Sequence, residues 1–165
     1  MTKKPKIDEF EPIVREILAY KIKLPRANYY QGILQLRNIT PEILHFMKNQ
    51  ILKRNDVCAT KIVRQEDGVD IFLSSQKFIT MVGKKLKESF GGQLKIASRL
   101  HTKSKQGKDL FRVNALFRLS NYKKGDVITV RGEEVRLLTI GQKIFAKEMK
   151  TGRKVTLRAD DMPAE

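Results

Sequence analysis

What this chain lacks narrows it first. One cysteine, Cys58, occurs in 165 residues, so no disulfide closes within the chain and no zinc site rests on paired cysteines. Tryptophan is absent and histidine occurs twice, at His45 and His101. One falls in a predicted helix and the other at a predicted strand end, and neither has the surroundings of a triad or a metal site. Neither a G-x-x-x-x-G-K-[ST] loop nor a G-x-G-x-x-G turn is present, which removes the two common phosphate cradles for nucleotides. No apolar run is long enough to span a bilayer, no basic amphipathic anchor stands out, and the opening residues do not read as a secretory signal. The expectation is a soluble, cytoplasmic protein without enzymatic activity, metal or cofactor, and with no membrane partner. Acids are scarce too. Asp and Glu number 18 against 34 Lys and Arg, a formal charge of +16. Such an excess repels itself in a compact fold and makes sense beside a polyanion.

What is present reads as an ordered series of elements. Residues 1–25 form an N-terminal arm with a short helix from Pro12 to Ala19, since Ile13, Ile17 and Tyr20 have helical spacing. The stretch YYQGILQLRN is a strand. Its alternation puts Tyr30, Gly32, Leu34 and Leu36 on one face and Tyr29, Gln31, Ile33, Gln35 and Arg37 on the other. A helix follows, with Thr40 as N-cap, Pro41 at its first position and Leu44, Met47 and Ile51 as its buried stripe. Two strands flank the turn Glu66-Asp67-Gly68. In the second helix Ser74 or Ser75 is the cap and Gly91 or Gly92 the stop. Ile79, Val82, Leu86 and Phe90 line one side, and Lys77, Lys84 and Lys87 the other. Strands over residues 93–101 and 110–119 then enclose the loop TKSKQGKD.

The resulting order, β-α-β-β-α-β-β over residues 26–120, predicts an α+β domain. It is a two-layer sandwich of split βαβ type, with both helices on one face of the sheet and the other face open. After Ser120 the pattern changes to short strands parted by glycine, over residues 126–130, 134–139, 143–149 and 154–158. That predicts a small SH3-like β-barrel over residues 121–165.

Charge concentrates where the sheet is open. Between Gln93 and Lys124 lie Lys95, Arg99, Lys103, Lys105, Lys108, Arg112, Arg118, Lys123 and Lys124, against the single acid Asp109. A solvated surface of mixed charge would intersperse acids there. Lys103, Lys105 and Lys108 share one hairpin loop with Gly107 to bend it, so a cationic tip can touch several phosphates. The candidate RNA-binding residues are these nine with His101, Tyr29, Arg37, Lys84 and Lys87. RNA is favoured over DNA because an open sheet suits an irregular backbone, and no helix-turn-helix or zinc finger is seen. Tyr29 and Phe72 offer rings for stacking, yet the strand GVDIFLSS lacks the aromatic octamer of an RNA-recognition motif, which favours backbone contact.

Other chemistries read more weakly. Cys58 sits among apolar neighbours as a buried thiol. Asp160-Asp161 reads as a solvated turn, although an RNA-modifying or nuclease activity using Asp160, Asp161 or His101 is a third candidate function. A protein-interaction adaptor is the second, with the terminal barrel binding a partner and the charge serving solubility.

The strand YYQGILQLR resembles the opening strand of the nonsense-mediated-decay-three family, the large-subunit export adaptors, in their archaeal form. Tyr29, Tyr30, Ile33, Leu34, Gln35, Leu36 and Arg37 carry that likeness. Gly68, Asp70, Ser74 and Ser75 in DGVDIFLSS extend it, as do Ser98, Arg99 and Leu100, and then Arg118, Tyr122, Gly125 and Asp126 at the joint to the barrel. The resemblance covers residues 26–161. Family members carry cysteine pairs of zinc modules ahead of the tyrosine strand, and no cysteine precedes it here. The zinc part is then lost in this lineage, removed, or borne by a separate zinc-bearing chain. The resemblance implies binding to large-subunit ribosomal RNA and to ribosomal proteins of the L1 stalk region, near the tRNA exit site; the free protein is expected to be a monomer. It also implies a barrel similar to the hypusine-bearing translation factor. The implied roles are late subunit assembly, quality control or prevention of premature subunit joining.

Overall fold

The computed structural model describes residues 7–103, 105–107, 109–140, 143–158 and 161–162. Its first element is a helix, α1, over Ile7–Ala19. Proline favours a first helical turn, which is why the sequence suggests a start at Pro12. The helix instead starts at Ile7 and carries Pro12 inside it, on the exposed side. Phe10, Ile13, Val14 and Ile17 are buried on its other side. Each such burial is worth about 1.5–3 kcal/mol, and together they exceed the roughly 3 kcal/mol that an internal proline costs. Ion pairs from Glu16 to Lys48, at 2.6 Å, and from Glu11 to Arg64 tie α1 to its neighbours.

Then follow β1 (Gly32–Arg37), α2 (Pro41–Leu52), β2 (Ala59–Gln65), β3 (Gly68–Leu73), α3 (Gln76–Phe90), β4 (Gln93–Lys103) and β5 (Asp109–Arg118). The succession is the one expected over residues 26–120. Thr40 precedes α2 in an extended conformation but makes no side-chain cap bond, and Pro41 pre-sets the first turn. Ser75 caps α3, its Oγ accepting from the Phe78 N–H at 3.2 Å. Ser74 acts elsewhere. It is buried, and its Oγ accepts from the Cys58 N–H at 3.0 Å. Gly91, with φ of 75°, ends the helix.

These five strands form one sheet in the order β2-β3-β1-β5-β4. β1 runs antiparallel to β3 and parallel to β5, while β2–β3 and β4–β5 are antiparallel pairs. Alternation sends Leu34, Leu36, Val69, Ile71, Leu73, Val113, Ala115 and Phe117 to one face, all buried. There they meet Ile17 of α1, Ile43, Leu44 and Met47 of α2, and Phe78, Ile79, Val82 and Leu86 of α3 in a single core. All three helices therefore cover this face. The free thiol of Cys58 is buried.

Four more strands make a second sheet: β6 (Val127–Val130), β7 (Glu133–Ile140), β8 (Ile144–Glu148) and β9 (Lys154–Leu157). They form an antiparallel meander in chain order around Ile128, Val130, Val135, Leu137, Ile144, Ala146 and Leu157. The expected strands are present, but the expected closed barrel is not. Among the described residues β6 does not pair with β9, so the sheet stays open. Closure needs a tilt and stagger shared by every strand. Two strands of only four residues give it little to bend. The whole is thus α+β, with three helices and two sheets among the described residues. None of those helices is long and apolar enough to cross a membrane.

Candidate nucleic-acid interface

Strand register assembles the uncovered face of the five-stranded sheet. One row across it reads Lys61, Phe72, Ile33, Asn114 and Ala97; the next reads Val63, Asp70, Gln35, Leu116 and Lys95. A third reads Gln65, Gly68, Arg37, Arg118 and Gln93. Beyond the first row Arg112 stands opposite Arg99. The face therefore holds Lys61, Lys95, Arg99, Arg112, Arg37 and Arg118 with one carboxylate of its own, Asp70.

Two sets of contacts organise these cations. At the β3–β1 end Arg37 Nη2 lies 2.7 Å from Asp70 Oδ1, with only 15% and 14% of the two side chains exposed. Asp67, in the β2–β3 turn, sits 3.8 Å from Arg37 Nε and 3.4 Å from Arg118 Nη1. Gln65 Nε2 donates to the other oxygen of Asp70 at 2.9 Å. Arg37 is thus held inside the protein, and Arg118 is half-engaged. Removing one member of a buried pair strands the other's charge. Arg37→Ala is expected to cost about 3 kcal/mol in urea denaturation, whereas Arg118→Ala, at an exposed pair, costs at most about 1 kcal/mol.

The second set is a chain of cations and rings. Lys61 Nζ lies 5.4 Å from the Phe72 ring centre, and Phe72 meets Tyr30 edge-to-face at 4.9 Å and 71°. Arg112 Cζ lies 3.9 Å from the Tyr30 ring centre. Phe72 and Tyr30 thus each already have a cation over the ring, each such contact being worth about 0.5–2 kcal/mol. The rings orient cations here rather than waiting bare for a base.

This sheet is where the chain meets a known family. A family model described as NMD3, second domain, matches residues 29–119. That is more than half of the chain. The chain belongs to the NMD3 family. No curated protein matches it. The NMD3 match begins at Tyr29 and ends at Leu119, so it takes in every strand of the first sheet with α2 and α3. Outside it fall α1 and the second sheet.

Within the NMD3 segment the sequence candidates separate. Lys95 and Arg99 are exposed on the open face and have no ion pair among the described residues. Past Leu100 the register shifts, leaving His101 without a partner, and Thr102 pairs with Leu110. The slip moves Lys103 off the cationic face, opposite Asp109. Lys105 is exposed in the loop; Lys108 lies outside the described residues. Lys84 and Lys87 belong to α3, in the helical layer, with Lys84 exposed and Lys87 half-buried. Beyond the match, Lys123 and Lys124 are exposed in the segment before β6.

Tyr29 and Tyr30 exchange the roles that alternation suggests. The strand starts only at Gly32, after a bend at Gln31, so the period cannot be carried back to the tyrosines. Tyr29 OH accepts from Gln31 Nε2 at 2.8 Å, and Gln31 Oε1 takes the Gln76 N–H at the start of α3. Tyr30 is the ring on the open side. Lys61 also belongs to this face, and only the β2–β3 register, which sets it across from Phe72, reveals it.

The β4–β5 hairpin reaches past the helices, and its apolar side chains are bare there. Leu100 is 57% exposed and Phe111 49%, and the two are cross-strand partners. Of the residues considered for catalysis, Asp161 accepts from the Arg158 N–H at 2.9 Å and pairs with Arg131 Nη2, also at 2.9 Å. These bonds, the backbone one first, hold its carboxyl below the usual range, which suits a structural acceptor better than a proton-transfer base. Asp160 lies outside the described residues. Among the described residues no three His, Cys, Asp or Glu side chains gather as a metal site.

Proposed function

We propose that this protein is a non-enzymatic RNA-binding factor that associates with the large ribosomal subunit near the tRNA exit site. Its role there is late subunit assembly, quality control or prevention of premature subunit joining. One observation carries the reading: the NMD3 segment coincides with a sheet whose helix-free face bears Lys95, Arg99 and Arg112 with no carboxylate paired to them among the described residues. Ribosomal RNA is the polyanion that the family resemblance supplies, and ribosomal proteins of the L1 stalk region are the accompanying partners. The exposed Lys103 and Lys105, with Lys108 from the same loop, would meet phosphates beyond the sheet, and Lys123 and Lys124 would do so at the joint. On this reading β1 to β5 are a split βαβ domain, and the open meander β6–β9 corresponds to the SH3-like module of the family.

The test is co-sedimentation with purified large subunits across a salt series. Log affinity should fall linearly with log salt, by about 0.7–0.9 for each phosphate contact. A second reading has its own support in the bare Leu100 and Phe111, and in Val127 and Phe145 of the second sheet with Met149 in the turn after β8, which are 42–47% exposed. A protein-interaction adaptor would use those side chains. It predicts binding that survives high salt and nuclease treatment, the reverse of what RNA contact predicts.

A further inference from the structure

Arg99 and Arg112 are direct partners across β4 and β5, on the open face. Opposed side chains of an antiparallel pair start from Cβ atoms about 4.5–5.5 Å apart, and like charges so placed destabilise the sheet. The nearby acids do not relieve them: Asp67 and Asp70 are engaged by Arg37 and Arg118, and Asp109 stands opposite Lys103. Arg112 is instead fixed on the β1 side of its strand. Its guanidinium lies 3.9 Å from the Tyr30 ring centre, and its Nε is buried without a hydrogen-bond partner. One arginine is therefore already oriented and partly stripped of water, and the other is exposed beside it.

Such a pair is complemented by a small tetrahedral oxyanion lying between two guanidinium forks, each able to donate two parallel hydrogen bonds. We infer that Arg99 and Arg112 form a clamp for a single backbone phosphodiester of bound RNA, with Tyr30 as the positioning residue that holds Arg112 in place. This rests on the RNA-binding reading above and adds a stoichiometry to it: two cations act on one phosphate. It also gives the like-charge pair a function that offsets its cost to the free sheet.

The stoichiometry makes the clamp testable. Affinity for purified large subunits is measured across a salt series for Arg99→Gln, Arg112→Gln and the double variant, glutamine keeping much of the stem packing. Each single change should weaken affinity with the salt slope nearly unchanged, since the remaining arginine still neutralises the phosphate, and the double change should lower the slope by one contact, about 0.7–0.9. A double variant whose slope falls by two contacts, or by none, overturns the clamp. Tyr30→Leu should weaken affinity as Arg112→Gln does, and Tyr30→Phe, which keeps the ring, should preserve it; a loss shared by both Tyr30 variants contradicts the positioning role.

A second probe needs no RNA. Titration with sulfate should shift the Arg112 Nε–H resonance in the unmodified protein, and Arg99→Gln should weaken that response about tenfold. A response unaffected by Arg99→Gln overturns the clamp. Failure of the unmodified protein to bind subunits, with the sulfate response intact, would remove the ribosomal reading and leave an anion clamp without its proposed ligand.

Discussion

Lys103, Lys105 and Lys108 changed together to glutamate are expected to abolish co-sedimentation with large ribosomal subunits while leaving the protein folded. The change takes roughly six units of charge from one short loop. Each charge-assisted bond to phosphate contributes about 1.5–3 kcal/mol, so losing even two weakens binding by about 100-fold, before counting the repulsion of new carboxylates. The salt slope should fall with it, by about 0.7–0.9 for every contact removed. Stability should hardly move. Lys103 and Lys105 are exposed, and surface changes of this kind stay near 0.5 kcal/mol each. The one structural cost is local, since Glu at position 103 would stand opposite Asp109 and fray the end of the hairpin. Undiminished sedimentation of a folded triple variant would remove the loop from the interface.

Gly32→Val is expected to prevent folding altogether, and Gly32→Ala to cost about 3 kcal/mol or more. Gly32 begins β1 where the strand is pressed between β5 and α3. A Cβ there would stand 2.2 Å from the Val113 carbonyl oxygen and 2.6 Å from Ile79 Cδ1. The isoleucine tip can rotate aside; the strand backbone cannot move without breaking the β1–β5 ladder that joins the two halves of the sheet. Gly107 is the natural control, because it has the opposite problem. Its φ of 80° favours glycine, but nothing lies within 4 Å of the place a Cβ would take, so Gly107→Ala should cost only about 1 kcal/mol. Urea unfolding of the two alanine variants, with soluble yield for the valine one, separates a crowded site from a strained one.

Much of the first sheet was open to reading because its signals are local. Strands β1, β3 and β5 alternate cleanly, Pro41 and Ser75 mark helix starts, and Gly91 marks a stop. The tyrosine strand and DGVDIFLSS carried the NMD3 likeness. What escaped depends on pairing between distant parts of the chain. Nothing near Arg37 announces that Asp67 and Asp70 will come across a strand to hold it. The bend at Gln31 breaks the period that would have told Tyr29 from Tyr30, and the slip at His101 sends Lys103 to the other side of the hairpin. Lys61, Phe72, Tyr30 and Arg112 become one chain of contacts only once the strand order is known. In the second sheet, short strands parted by glycine do announce a meander, but closure depends on how its two edge strands meet, which no single strand encodes.

The position of β1 has a consequence for how the protein is made. Its partner β5 arrives roughly 80 residues later in the chain, after both hairpin strands β2 and β3 and the helix α3. Until then a nascent polypeptide has one side of its central strand unzipped and lacks Val113, Ala115 and Phe117 beneath the helices. Domain closure must therefore wait for nearly the whole NMD3 segment to leave the exit tunnel, and the strand that closes it also carries Arg112. Completion of the hydrophobic interior and delivery of that cation to the surface are then a single kinetic event.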